Sequence, residues 1–261
     1  MPSRLASLVA RRVLDAELAA LAWQLAEAGV PVLVAGPSSP DRDVFIDALV
    51  ELLPSGLRLV EPAADDDFAW LPEAVELGWR RTRPNLGAVG PAAVLRQDPS
   101  RTVILVRDLA GDGPVGAAAD RARVIIRALA LGYRLIAAIE GPDLEAVFAR
   151  LRGEPVGADE DETSRLGLVL ALGEVARGPR VLAAHYVRPL ARDLHGHVQR
   201  LAPAVLATWS TSTDTWDHFA WGVVPELAER LGVRPVELER EQARRAAVLA
   251  STARTGVSGG A

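Results

Sequence analysis

The residues best placed to do chemistry form one short run, Gly36-Pro37-Ser38-Ser39-Pro40-Asp41-Arg42-Asp43. An apolar stretch from Val32 to Ala35 leads into it. Phe45, Leu49 and Leu52 follow at a spacing that puts them on one side of a helix. Strand, tight loop and helix is the frame of a phosphate-binding loop, whose pattern is glycine, four residues, then glycine-lysine-serine or threonine. On that frame Gly36 is the first glycine, Asp41 replaces the second, Arg42 the lysine and Asp43 the hydroxyl residue. A working loop grips phosphate with backbone N–H groups, a helix N-terminus and the lysine cation, while the hydroxyl holds Mg²⁺. Here Pro40 lacks an N–H, and Asp41 places a side chain where the backbone must approach closely.

With Asp41 and Asp43 set against Arg42, the loop side chains change from net cationic to net anionic. A unit charge at 4 Å is worth about 1 kcal/mol in water and about 4 kcal/mol at an effective dielectric of about 20. That change offsets the roughly half-charge of a helix dipole. The broad guanidinium fork does not replace a compact ammonium. Tight ATP·Mg²⁺ binding in the usual mode is therefore not expected. A turn with a helix cap, Ser39 or Asp41 accepting from a backbone N–H, accounts for Gly36, Ser38, Ser39, Asp41, Arg42 and Asp43 without any ligand.

Other clusters carry less. Asp193, His195 and His197 have a His-x-His spacing, but the spacing implies no third ligand, so no metal is assigned and a solvated turn is the expectation. Trp209, Trp216 and Trp221 fit either a partner surface or the packing of a small antiparallel layer, and packing is favoured. Arg244-Arg245 reads as part of a charged surface helix.

Composition sets the outer bounds. The 261 residues are 49% hydrophobic and 24% charged, enough for a sizeable core and ordinary for a globular protein. There is no cysteine, which excludes disulfides, zinc–thiolate sites and cysteine nucleophiles. There is no lysine either, so all 29 basic residues are arginine. A net charge of −5 without an aromatic-studded basic patch argues against a nucleic-acid partner. The first residues make a poor signal peptide, and no apolar run approaches the ~18 residues of a membrane span, so a cytoplasmic protein is expected.

The elements that would position the loop alternate. Residues 14–28 read as an amphipathic helix, Val32–Ala35 as a buried strand, Leu57–Glu61 as a second strand and Pro91–Arg96 as a short helix. Thr102–Val106 and Leu135–Ile139 are strands flanking a helix over about 117–131, and Asp143 caps a helix to Leu151. This alternation predicts an α/β fold, a parallel sheet with helices on both faces. Leu166–Leu172 reads as strand or short helix. Val181–Val187, Ala204–Trp209 and Phe219–Val223 then read as strands of a small antiparallel C-terminal extension, followed by helices over Pro225–Leu231 and Val236–Leu249. A Ser-, Thr- and Gly-rich tail from Ser251 is expected to be disordered. The resulting division is 1–30 N-terminal helical segment, 31–175 core, 176–250 C-terminal strands and helices, and 251–261 tail.

The ordered series GPSSPDRDVFIDAL, LLP, Arg58-Leu59-Val60-Glu61, DPSRTVILVRDLAG, ALALGYRLIAAIEGPDLEAVFARL and RVLAAHYV resembles the ATPase core of the type II/type IV secretion family. That family includes the type IV and Tad pilus motors. The resemblance spans roughly residues 14–225 and implies a RecA-like P-loop NTPase core. It places Asp108 at the family's Walker B glutamate, Glu61 in its acidic box, Tyr133 at its first histidine and Glu140 at its second. Asp108 and Glu61, at C-terminal ends of strands where such sheets build sites, are candidate general-base or Mg²⁺-orienting carboxylates. Their plain alternative is an acid paired with a nearby arginine. Arg107 stands in place of the family's glycine and is expected to compete for Asp108. Glu140 adds negative charge where the family has a neutral donor.

The resemblance and the altered loop together imply a degenerate ATPase that acts as a regulatory or structural partner in a Tad/type IV pilus or secretion system. Its partners would be an active motor paralogue or further copies of itself in a ring, with no nucleic acid, and its only membrane contact would run through the secretion complex at the inner membrane. ATP and Mg²⁺ are the cofactors if residual binding persists. The alternatives are a divergent but active ATPase using Arg42 and Asp108, and a repurposed fold binding another phosphorylated ligand.

Overall fold

The computed structural model describes residues 2–63, 66–80, 98–111, 115–192, 195 and 197–258; the helix expected over 91–96 lies outside them. Two helices lead in, α1 (Ser3–Ala10) and α2 (Ala16–Glu27). α1 falls within the helical segment expected over 1–30 but ahead of the helix read over 14–28, and it buries Leu5 and Leu8. Asp15 caps α2 by accepting from the Leu18 N–H at 2.9 Å.

Alternating strands and helices follow: β1 (Val32–Ala35), α3 (Pro40–Glu51), β2 (Arg58–Val60), β3 (Thr102–Val106), α4 (Val115–Ala128), β4 (Arg134–Ile139), α5 (Leu144–Arg152) and α6 (Glu160–Ser164). The second half contains β5 (Leu168–Val175), β6 (Gly178–Tyr186), the short pair β7 (Ala191–Arg192) and β8 (Val198–Gln199), then β9 (Ala204–Ser210), β10 (Thr215–His218), α7 (Val224–Leu231) and α8 (Pro235–Ser258).

Eight strands form one sheet in the order β10-β9-β6-β5-β1-β4-β3-β2. β5, β1, β4, β3 and β2 run parallel, whereas β6, β9 and β10 are antiparallel. The fold class is therefore the α/β class expected, with its antiparallel extension. β5 joins the two halves: Val32 of β1 sits opposite Leu168, while β6 pairs along β5 from Leu168↔Tyr186 to Val175↔Gly178. The boundary drawn at residue 175 falls at the β5–β6 turn, inside this single sheet.

Alternation along each strand feeds two cores. Val32, Val34, Val103, Leu105, Ile136 and Leu170 face the side covered by α1, α2, α3, α7 and α8. Leu33, Ala35, Ile104, Val106, Leu135, Ala137 and Val169 face the side covered by α4 and α5. Strands buried on both faces read as continuous apolar runs, and β1, β3 and β4 do so.

Two expectations are corrected. Phe219–Val223 is not a strand. The edge strand is Thr215–His218, where Trp216 sits opposite Trp209, and a 3-10 turn over Ala220–Val223 follows. The tight turn before it puts Asp214 at φ 53, and this moves the strand earlier than apolar content alone suggests. The tail from Ser251 is not disordered through residue 258. α8 continues to Ser258 because Leu249 and Ala253 are buried. No described helix is long and apolar enough to cross a membrane.

Candidate functional site

The loop of interest leaves β1 at Gly36, whose N–H donates to the Ile139 carbonyl at 3.0 Å. A Cβ at Gly36 would stand 2.5 Å from the Leu172 carbonyl oxygen, so β5 passes too close for a side chain. Glycine is needed here for packing, whatever else the loop does.

α3 starts at once, and its first turn is internally satisfied. Ser39 is the N-cap, its Oγ accepting from the Arg42 N–H at 3.2 Å. Pro40 occupies the first helical position, where its missing N–H costs nothing. Asp41 pairs with Arg11, the residue that follows α1. Ser38 and Asp43 are exposed.

Arg42 does not point outward. It is 2% exposed, and its Nη1 donates to the Gly36 carbonyl at 3.0 Å while Nη2 reaches the Arg107 carbonyl at 3.4 Å. The cation therefore ties the end of β1 to the end of β3. Its Nε is buried without a partner.

The three candidate carboxylates lie at the C-terminal ends of adjacent strands. Glu61 follows β2, Asp108 follows β3 and Glu140 follows β4. Each has a different cation nearby. Arg107 holds Glu61 at 2.9 Å and Asp47 of α3 at 2.9 Å, and both contacts raise its pKa, Asp47 contributing more. Arg107 thus pairs with Glu61 and Asp47 rather than competing for Asp108. Arg150 of α5 stands 3.6 Å from Glu140 and donates to the Ala110 carbonyl at 2.8 Å.

Asp108 is the one unusual acid of the three. Burial pushes its carboxyl above the ordinary carboxylate range; Arg42 opposes this, Glu140 adds to it, and Arg150 and the Ala110 N–H oppose it. Its Oδ1 is buried without a hydrogen-bond partner. Gly111 covers the carboxylate so closely that a Cβ there would meet Oδ2 at 2.2 Å.

Among these groups the acids Asp41, Asp43, Asp47, Glu61, Asp108 and Glu140 outnumber the cations Arg11, Arg42, Arg107 and Arg150. A site of this composition holds loops together through ion pairs and offers an incoming polyphosphate a net negative surface. Sequence reasoning missed Arg11, which follows α1 and pairs with Asp41, Asp47 of α3, which pairs with Arg107, and Arg150 of α5, which stands by Glu140. No motif spacing marks them.

Tyr133 lies elsewhere. It precedes β4, at the end of the sheet opposite the loop, where it is buried edge-on against Trp70 at 6.1 Å and burial raises its phenol pKa. The tryptophans divide. The Trp216 indole donates to the Val181 carbonyl at 2.7 Å and that of Trp209 to Asp214 at 3.1 Å, whereas Trp221 is 77% exposed. Arg245 lies over the Trp23 ring at 4.5 Å and pairs with Glu27 and Glu241, while Arg244 pairs with Glu241.

The His195 and His197 rings are 6.2 Å apart, and Asp193 lies outside the described residues. Among the described residues no group of three or more His, Asp or Glu side chains is arranged to hold a metal ion.

No family model and no curated protein matches the sequence. Among solved structures, the chain is similar to the VirB11 ATPase from the Brucella suis type IV secretion system in complex with sulphate. Identity is 17% and the TM-score 0.41, over 63% of this chain and 52% of that one, so the match spans about half of that protein's length.

Proposed function

We propose that this chain is a non-hydrolysing relative of the secretion and pilus motors and works by association, as a structural or regulatory partner in a Tad-type pilus or secretion system. The observation that carries this reading is the inward turn of Arg42. In the position of the phosphate-gripping lysine stands a guanidinium spent on the carbonyls of Gly36 and Arg107. Reaching a terminal phosphate would mean breaking both bonds and leaving two carbonyls without donors. Pro40 supplies no N–H, Ser39 occupies that of Arg42, and Asp41 and Asp43 repel a polyphosphate.

The order β5-β1-β4-β3-β2, with the loop after β1 and carboxylates after β2, β3 and β4, gives the motor-like reading its support from fold. A divergent ATPase is the second reading. It rests on Asp108, a half-buried carboxylate with an unpaired oxygen close to Arg42.

Calorimetric titration with ATP·Mg²⁺ separates the two. The expected outcome is no saturable heat at millimolar nucleotide and no phosphate release. A melting temperature raised by several degrees, together with hydrolysis abolished in Asp108→Asn, establishes the enzyme instead.

A further inference from the structure

The far end of the sheet carries a second site, which does not depend on the motor reading. A cavity of about 620 Å³ opens there, in the size range of small-molecule pockets. It lies beneath the starts of β1, β4 and β5, at Pro31, Gly132 and Arg165, and beside the end of β6 at Tyr186. Three arginines line it from separate elements, and two of them are neutralised. Arg188 grips Glu226 through two bonds of 2.6 and 3.0 Å, and Arg165 pairs with Asp161 at 2.8 Å.

Arg230, in the last turn of α7, is different. No carboxylate pairs with it among the described residues. Its guanidinium reaches only the Tyr186 hydroxyl at 3.4 Å and the carbonyls of Val187 and Arg165 at 3.5 Å, and it stands 5.4 Å over the Tyr186 ring. Contacts this long are at the outer limit of hydrogen bonding. A planar fork with five donors is thus left with weak neutral partners in a cavity, where a carboxylate would satisfy it with two short bonds.

The rest of the lining selects the ligand. Pro31, Leu129 and Leu201 supply an apolar wall, and Leu201 is 52% exposed at the rim, a large apolar group left to water. Glu229 also lines the cavity, one residue from Arg230, and opposes a doubly charged head group.

We infer that this cavity binds a small organic monocarboxylate, its head group on Arg230 and its apolar body against Leu129, Pro31 and Leu201. Octanoate serves as the probe, titrated calorimetrically into the whole protein alongside octyl phosphate and octylamine. Octanoate is expected to bind saturably, octyl phosphate more weakly and octylamine not at all. Arg230→Gln is expected to weaken octanoate binding at least ten-fold. Leu201→Glu, at a position 52% exposed, is expected to do the same and keeps the test valid if the first variant misfolds. Absent octanoate binding, or binding unchanged in Leu201→Glu and in folded Arg230→Gln, overturns the site. Tighter binding of octyl phosphate or octylamine overturns the carboxylate assignment.

Discussion

At the scale of single residues, the identity of the side chain at position 42 matters less than where it points. An arginine on an exposed helix start would be a modest cation. Buried at 2% and bonded to two strand-end carbonyls, it becomes a clasp between β1 and β3. Arg42→Ala removes the donor from both carbonyls and takes from Asp108 the charge that most opposes its burial. We expect a loss of about 2–4 kcal/mol, taking about 1–2 kcal/mol for each orphaned carbonyl, measured by urea denaturation. An unchanged midpoint would mean the clasp is not structural. Asp214 is held by the same kind of contact: Arg180 and the Trp209 indole hold its carboxyl down at about 2, so its charge persists below the ordinary carboxylate range, and the stability this adds is complete above that range and lost as pH falls through about 2.

At the scale of elements, the edge strand β10 is fastened to the start of α2. Asp15 accepts from Leu18 with one oxygen and faces His218 Nε2 at 2.7 Å with the other, and Glu17 stands 3.8 Å from Nδ1. The Asp15 bond, aided by the charges of Asp15, Glu17 and Asp217, raises the His218 pKa against burial. Folding therefore favours the protonated ring. This contribution is complete below the unfolded value of about 6.5 and disappears as pH rises through the folded value. His185 behaves oppositely: burial lowers its pKa, Asp143 only partly resists, and stability is lost as pH falls below the unfolded value. His218→Gln removes the first effect alone. Its melting temperature is expected to climb with pH between about 5 and 8 more steeply than that of the unaltered protein. Parallel profiles would show that the Asp15–His218 contact does not act in solution.

At the scale of the molecule, one sheet runs across the boundary drawn at residue 175. β5 belongs to both halves, and α8 from the far end of the chain packs beside α1 and α2 from its beginning. Shared strands couple the halves, so they should not melt separately. We expect tryptophan fluorescence, dominated in the C-terminal half by Trp209 and Trp216, to report the same denaturation midpoint as far-ultraviolet circular dichroism. Two separated transitions would show that the antiparallel layer folds on its own.

The amino-acid sequence alone specified the alternating strands and helices, the loop after β1 and the cap at Asp143. Those features depend on local signals: apolar runs, side-chain periodicity, and residues whose backbone preferences act over three or four positions. The extent of β10, the helical course of residues 251–258 and the partners of the acidic residues depended on contacts between distant segments. Arg107 had one acidic neighbour in the chain, Asp108, and two acidic partners in space, Asp47 and Glu61. The direction taken by Arg42 was likewise a tertiary outcome, since the carbonyl that completes its clasp lies on another strand. Arginine's long side chain can reach in several directions, and only the packed neighbours select one.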